Sequence, residues 1–162
     1  MRAGGYGSDR ALSVNTDASN NIYITGFYYG SATFGSFTLT SNNGSQDIFI
    51  AKLNSTGTFI WAISAGGTMA DIGNAIETDL NGNVLVTGQF QGSAVFGSST
   101  LTSVVNPQTT LPSIDIFTAK YDNNGNFLWV RQGAAEFTDR GLDVACDASG
   151  NIFVCGQFSD TI

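Results

Sequence analysis

Short runs of β-branched and aromatic residues alternate along the chain with turn sequences rich in Asn, Asp and Gly. In a first unit, four such runs predict strands that we call a to d, at residues 12–16, 22–27, 48–53 and 58–63. A second unit repeats them at residues 75–78, 84–90, 116–121 and 126–131. Since no apolar pattern of helical spacing is present, we expect an all-β protein with almost no helix.

The hydrophobic pattern differs between the strands. Strand b is apolar on both faces, at residues 22–24 and 84–86, which predicts a strand that is covered from both sides. Strand a begins with a small residue in each copy, Ala11, Gly73 or Gly141. We expect crowding there, where a larger side chain would collide with a neighbouring unit.

A block of ten residues joins strands a and b and occurs three times, at residues 17–26, 79–88 and 147–156. Such self-similarity marks a repeat architecture, and four antiparallel strands per unit with tight Asx-Gly turns are typical of a β-propeller. We predict a β-propeller segment of about two and a half blades. Its divisions are the tail of a preceding blade, blade one, blade two and the first half of blade three, at residues 1–8, 9–70, 71–138 and 139–162.

Because both ends fall inside a blade, this segment is not expected to close a ring by itself. We expect further blades to come from a longer chain or from other copies. A terminal blade with an open apolar face is an association hazard, so we do not expect a stable closed monomer.

Further motifs follow in a fixed order. Phe-Gly occurs at residues 34–35 and 96–97, and Asp-Ile-Phe-x-Ala-Lys follows, with its second copy at residues 115–120. Gly-x-Phe-x-Trp then closes each unit. This combination resembles the bacterial SBBP family of β-propeller repeats, although Asn20 replaces a turn Gly and residues 134–135 are Ala-Ala rather than Gly-Gly. The resemblance implies a propeller in a secreted or surface protein of bacteria, without assigned catalytic residues.

The amino-acid composition limits the classes of molecule that the chain can be expected to bind. Six Lys plus Arg stand against 13 Asp plus Glu, for a net charge of −7. A phosphate backbone or an anionic membrane would be repelled, so we predict no nucleic-acid binding and no membrane insertion. The absence of His removes the commonest general base and metal ligand. The start of the chain lacks the apolar core of a signal peptide, from which we expect that the natural chain begins further upstream.

Aspartates recur before strand a (Asp9, Asp71 and Asp139) and before strand c (Asp47 and Asp115). They are candidates for general acid–base pairs or for acceptors of backbone N–H groups. Recurrence in every unit favours the structural role, because a propeller needs only one active site whereas each of its blades must be held in place. We therefore expect no enzymatic activity.

Two Asx-rich turns resemble the start of a calcium loop, at residues 79–83 and 122–126. An EF-hand loop also needs a bidentate Glu after a Gly, and none follows. A hairpin turn accounts for both sequences, so we predict no metal site and no cofactor.

The cysteines, Cys146 and Cys155, occupy positions where the other copies carry Thr. They are candidates for a disulfide or a reactive thiol, or for small residues in Thr-sized spaces. A tight turn between the strands would place Cys146 near Asn151, several residues from Cys155, which favours the last alternative.

Other candidates are aromatic and basic. Trp61 and Trp129 on strand d are possible stacking platforms for sugars, but packing of an outer strand is favoured. Lys52 and Lys120 share one repeat position, and we expect them to reach solvent or one of the recurring aspartates.

Tyr28 and Tyr29 are candidate partner-binding residues. In the repeat alignment the second and third copies carry residues 91–92 (Gln-Gly) and 159–160 (Ser-Asp) at these places. Blade packing alone therefore does not demand the two tyrosines.

Pro107 and Pro112 are the other partner-binding candidates, in the connection from strand b to strand c. Five residues, 42–46, precede strand c in blade one, whereas eleven residues, 104–114, do so in blade two. Loops on rigid scaffolds often carry binding residues, although neutral variation in length is the alternative.

These observations predict a non-enzymatic extracellular or cell-surface propeller segment that acts as a scaffold or adhesion module and binds proteins. The alternative is a glycan-binding propeller with one pocket per blade.

Overall fold

A computed structural model describes residues 3–159 and contains fifteen β-strands and one short 3₁₀ turn at Asn42–Gly44. The outer ends of the first and last predicted units, residues 1–2 and 160–162, lie outside the described residues. The strands are β1 Ala3–Gly5, β2 Arg10–Thr16, β3 Ile22–Tyr29, β4 Ser31–Phe34, β5 Phe37–Thr40, β6 Gln46–Leu53, β7 Phe59–Gly67, β8 Ile72–Thr78, β9 Val84–Gln91, β10 Ser93–Phe96, β11 Ser99–Thr102, β12 Ile114–Tyr121, β13 Phe127–Gly133, β14 Arg140–Cys146 and β15 Ile152–Gln157.

The predicted strands a to d of blade one are β2, β3, β6 and β7, and those of blade two are β8, β9, β12 and β13. In each blade the four strands pair antiparallel in this order. Strands β14 and β15 form a third hairpin with the register of the first two strands of a blade. The all-β propeller segment predicted from the sequence is confirmed.

Each b-to-c connection contains a hairpin that was not predicted from the sequence, β4–β5 in blade one and β10–β11 in blade two. Every second residue of its first strand is buried, Ala32 and Phe34 in one copy and the equivalent pair in the other. Each hairpin turns at a glycine of positive φ, 63° at Gly35 and 55° at Gly97. Two-residue hairpin turns favour Gly at this first position.

Each hairpin extends the sheet of another unit. Ala94 and Val95 of β10 pair with Gly67 and Gly66 at the end of β7, so the sheet of blade one has six strands. In the same way β4 pairs with β1. The end of β7 is thereby paired with blade two, and adjacent blades are joined by backbone hydrogen bonds as well as by side-chain packing.

The main core lies between blades one and two, where Tyr23 and Ile50 pack with Val86, Phe90 and other residues of blade two. A smaller core between blades two and three contains Ala75, Leu85 and Val144. Every residue of β9 except its last is buried, because both faces of this strand are covered by blades. The prediction made for strand b is therefore confirmed for β9, which lies between two blades, whereas Ile22 and Ile24 of β3 are only half-buried.

The outermost strands leave apolar side chains exposed: Leu12 and Val14 on β2, and Phe153 on β15. At the equivalent positions between the blades, Ile76 and Leu85 are buried and Asn74 is half-buried. Open faces of this kind agree with the expectation for terminal blades, whereas association of the chain stays a prediction. Within residues 3–159, no helix has the length and apolar character needed to cross a bilayer.

Candidate functional site

The aspartate before each strand a accepts two backbone N–H groups. The Asp71 carboxylate accepts hydrogen bonds from Gly67 N at 2.6 Å and from Gln91 N at 3.2 Å. It thereby connects the end of β7 to the end of β9. The same pair of contacts occurs at Asp9, from Gly5 and Tyr29, and at Asp139, from Ala135 and Ser159. These carboxylates brace the junctions between units, as predicted from their recurrence.

The aspartates before strand c fasten the loop that leads into it. Asp47 accepts Asn42 N at 3.0 Å and Ser45 Oγ at 2.9 Å. Asp115 accepts Val104 N at 2.9 Å, and the Ser113 hydroxyl also donates to it. The short loop of blade one and the long loop of blade two are thus held by equivalent carboxylates.

The structure corrects the alignment used for Tyr28. The register pairs Tyr28 with Asp47 and Phe90 with Asp115, so Tyr28 corresponds to Phe90 and not to Gln91. Asp160, which the alignment had matched to Tyr29, lies outside the described residues.

Tyr28 also packs as its counterpart does. Its ring meets Phe34 edge-on at 6.5 Å and 87°, and Phe90 meets Phe96 at 6.4 Å and 86°. The Tyr28 side chain is fully buried, and its hydroxyl lies 2.7 Å from Ser64 Oγ. Blade packing therefore does require an aromatic ring here, and Tyr28 offers no surface to a partner in this structure.

Tyr29 is half-buried and stacks edge-on with Phe27, at 6.1 Å between ring centroids. Pro107 is exposed and Pro112 is half-buried. A role in partner binding stays a prediction for Tyr29, which belongs to blade one, and for Pro107 and Pro112, which belong to blade two.

The loop at residues 104–114, which we call the blade-two loop, is closed by its own hydrogen bonds. Val105 and Pro112 form an isolated β-bridge, and Asn106 N donates to Leu111 O at 2.9 Å. The Asn106 side chain accepts Gln108 N at 2.9 Å, which stabilises the turn at the tip. The insertion is thus a small hairpin-like loop with a defined shape.

This loop presents apolar side chains to solvent. Val105 is 57% exposed and Leu111 is 61% exposed, and they occupy neighbouring positions on its two arms. Pro107 adds a further exposed apolar residue at the tip. The length and the prolines of this loop made it a candidate from the sequence. Val105 and Leu111 were not predicted, although apolar residues inside a surface insertion could have indicated them.

A polar cleft of about 440 Å³ lies between the a-to-b turns of blades one and two. Asn15, Asp17, Glu77, Asp79 and Asn81 are among the residues that line it. Burial raises the pKa of Asp79, but hydrogen bonds from Lys120 and Asn83 outweigh burial and hold that pKa below its ordinary value. Asp79 therefore stays ionised at neutral pH.

Lys120 ion-pairs with Asp79 at 2.8 Å, and Lys52 donates to the Asn123 side chain. The expectation that these lysines reach solvent or one of the aspartates before strands a and c is therefore wrong. Lys52 also lies 5.1 Å from the centre of the Tyr23 ring. Both lysines instead tie the ends of strands to turns.

Both tryptophans on strand d pack against neighbouring residues, which was the interpretation favoured from the sequence. Trp61 is 8% exposed and donates from Nε1 to Asn123 O at 3.1 Å. Trp129 packs against the core between blades two and three and lies 5.7 Å from the guanidinium of Arg131. Trp61 therefore offers no open platform for a sugar, whereas Trp129 is half-buried with the Arg131 guanidinium over its ring.

The Asx-rich turns use their carboxylates internally. Asp122 accepts the backbone N–H groups of Asn124 and Asn126, each at 2.8 Å, and the Asn126 side-chain amide at the same distance. These contacts define a hairpin turn. Among residues 3–159, no group of three or more His, Cys, Asp or Glu side chains is placed to hold a metal ion.

The cysteines lie on different rungs of the third hairpin, Cys146 opposite Ile152 and Cys155 opposite Asp143. Both are free thiols. Cys146 lies 3.6 Å from Thr78 O of blade two, so it packs between blades two and three as its counterpart Thr78 packs between blades one and two.

Comparison with known proteins supports the repeat architecture. No protein-family model matches the chain, so membership of the SBBP family stays a prediction. The chain is 30% identical over 158 residues to a WD repeat-containing protein of Acanthamoeba polyphaga mimivirus. The match covers 91% of this chain and 11% of the viral protein, so the chain spans about a ninth of that relative. Fold and similarity together show a segment of a β-propeller repeat protein.

Proposed function

We propose that this segment is a non-enzymatic interaction module that binds a protein partner through the blade-two loop. WD repeats commonly form propeller blades, and the rigid rim of such a scaffold suits recognition by loops. The similarity to a WD repeat-containing protein supports a propeller that acts as a scaffold.

One observation carries the proposal, namely the exposed pair Val105 and Leu111 on a loop that is already ordered. A partner that buries these side chains removes apolar surface from water, and a preformed loop loses little conformational entropy on binding. The equivalent loop of blade one is five residues long and presents the polar residues Asn42, Asn43 and Ser45 instead. The site we propose is therefore specific to blade two.

A non-enzymatic role is supported by the hydrogen bonds of the recurring aspartates. Asp9, Asp71 and Asp139 each use their carboxylate oxygens to accept backbone N–H groups, a structural role. An extracellular or cell-surface location stays a prediction from the sequence. The bacterial origin has no support from the comparison, because the relative is viral.

Selection of peptides from a random displayed library on the immobilised chain tests the proposal and does not require the partner to be identified. We expect enriched apolar peptides that lose at least tenfold in affinity when Val105→Ser and Leu111→Ser are combined, about 1.4 kcal/mol or more. Val95→Ser is the matched control, because Val95 is 49% exposed on the β10 hairpin, away from the loop. Peptides that bind the loop variant and the wild type equally would contradict the proposal.

A second candidate function, glycan binding, is favoured by the polar cleft between the a-to-b turns. Amide and carboxylate groups such as those of Asn15, Asn81 and Asp17 suit the hydroxyl groups of a sugar. A glycan array probed with the chain, and with Asn81→Ala as a cleft variant, tests this candidate. Binding that the cleft variant loses and the loop variant keeps would favour it over the protein-binding proposal.

A further inference from the structure

Two buried carboxylates meet at the junction between blades one and two. Asp47 and Asp71 have no exposed surface, and both face the backbone of Gly66. A Cβ built on Gly66 would lie 2.9 Å from Asp47 Cγ and 2.9 Å from Asp71 Oδ2. Both carboxylates therefore lie against the same glycine, which has no side chain to occupy the space beside them.

Within the described part of the chain, no cation balances this pair. Among residues 3–159, neither carboxylate takes part in a salt bridge, since the ion pair found there joins Lys120 to Asp79. The titratable group that β3 brings near Asp47 is the Tyr28 phenol, and β9 brings the uncharged Gln91 to Asp71. Two like charges without a partner are costly in a buried site.

Hydrogen bonds give each carboxylate a separate mechanical role. Asp71 connects Gly67 of β7 to Gln91 of β9, and its own backbone N–H donates to Gln46 O at 2.8 Å. Asp47 holds the loop before strand c through Asn42. Repulsion between the two carboxylates therefore acts on the point where strand d, the loop and the next blade meet.

The second junction is built differently. Ala134 occupies the position of Gly66, because Gly133 pairs with Ile116 as Ala65 pairs with Ile48. Gly66 has a φ of 146°, which residues with a Cβ rarely adopt, and Ala134 is not among the residues of positive φ. Accordingly β13 ends at Gly133, whereas β7 continues to Gly67. A glycine of positive φ between strand d and the next blade is thus a feature of the first junction that the second lacks.

We propose that Asp47 and Asp71 form a proton-dependent latch between blades one and two. With one proton bound, the pair carries a single negative charge and the proton occupies the space beside Gly66. Without it, two negative charges face each other and strain the junction. The device makes the contact between blades one and two tighter in mildly acidic than in alkaline solution.

The pKa values agree with this geometry. Burial raises the pKa of Asp71 to about 7, against hydrogen bonds from Gly67 and Gln91 that lower it, and the charge of Asp47 raises it further. Burial also raises the pKa of Asp47 above its ordinary value, against the hydrogen bonds from Asn42 and Ser45. A group whose folded pKa is raised binds more protons when folded than when unfolded, so stability falls as pH rises towards that folded pKa.

Thermal unfolding of the chain between pH 5 and pH 8.5 tests the latch. We expect the wild-type midpoint to fall by several degrees as pH rises through the neutral range. Asp71→Asn, which imitates the protonated acid, should abolish most of this dependence. Asp139→Asn at the second junction is the matched control and should leave the slope unchanged, whatever its effect on the midpoint itself.

A titration of the unmodified chain keeps the test independent of folding of the variants. Carbon-detected NMR of the aspartate carboxyl groups should show one group that titrates near neutral pH and is absent from Asp71→Asn. Titration of every aspartate below about pH 5 would overturn the latch, since that is the range of ordinary carboxyl groups. An equal pH slope of the melting midpoint in wild type and Asp71→Asn would overturn it as well.

Discussion

Gly73, near the start of β8, lies directly against Thr25 of the preceding blade. A Cβ on Gly73 would come within 2.3 Å of Thr25 Oγ1 and within 3.1 Å of Ile48 Cγ2. One blade further, a Cβ on Gly141 would lie 2.4 Å from Thr87 Oγ1. The small residue at the start of strand a is thus required by the neighbouring blade, as the sequence predicted.

Gly73→Ala should therefore destabilise the chain by about 1–3 kcal/mol, because the added methyl group overpacks the interface between blades. Urea unfolding followed by tryptophan fluorescence measures the change. Gly133→Ala is the control, since the nearest atom to its Cβ would be 3.7 Å away, and its effect should be small. Equal loss in the two variants would contradict close packing at Gly73.

Tyr28→Phe should change stability by less than about 1.5 kcal/mol, because it removes one hydrogen bond to Ser64 and recreates the Phe90 arrangement. Tyr28→Ala should be destabilising by about 3–5 kcal/mol, the usual loss for a buried aromatic ring. Chemical unfolding of both variants checks the pair. A Tyr28→Ala variant as stable as Tyr28→Phe would show that the ring is not part of the core.

Asn123, in the turn between β12 and β13, fastens blade two to blade one. Its side chain accepts the Tyr23 hydroxyl at 3.1 Å and also the Lys52 ammonium group. Asn123→Ala should lower stability by about 1–2 kcal/mol, because the largely buried Lys52 loses an acceptor. Asn124→Ala, one residue along the same turn, should be nearly neutral, and a thermal melt of each variant compares them.

Acid should destabilise the fold through the turn aspartates. In Asp122, hydrogen bonds from the Asn126 side chain and then from the backbone hold the pKa below its ordinary value, and Asp79 is likewise lowered. A lowered pKa means that the unfolded state binds more protons, so stability is present above about pH 4 and is lost as pH falls further. Circular dichroism from pH 5 to pH 2 should show this loss, with a shallower profile in Asp79→Asn. An unchanged profile in that variant would remove Asp79 from the explanation.

Much of the fold could be predicted from local chemistry. Asx-Gly turns such as residues 79–82 predicted the positions of the hairpins. The apolar character of strand b indicated that both of its faces are buried. The β4–β5 hairpin was missed because its strands are only four residues long and its partner strand belongs to another unit. Pairing between units depends on the assembled propeller, which no local pattern describes.

The candidate site was less accessible to sequence reasoning. The repeat alignment placed Tyr28 one residue away from its true counterpart. The register at the end of strand b is set by the pairing of Tyr28 with Asp47, and no local pattern in the sequence shows that pairing. Loop length located the insertion at residues 104–114, but which of its apolar residues face solvent depends on the Val105–Pro112 bridge. The meeting of Asp47 and Asp71, 24 positions apart in sequence, follows from tertiary structure alone.

Hydrogen–deuterium exchange of the chain with and without a selected peptide tests most directly the claim that the blade-two loop is the recognition site. If the loop is the recognition site, exchange at residues 104–113 should slow on binding, with little change at the a-to-b turns that form the polar cleft. Slower exchange confined to those turns, or to the open faces of β2 and β15, with the loop unaffected, would contradict it.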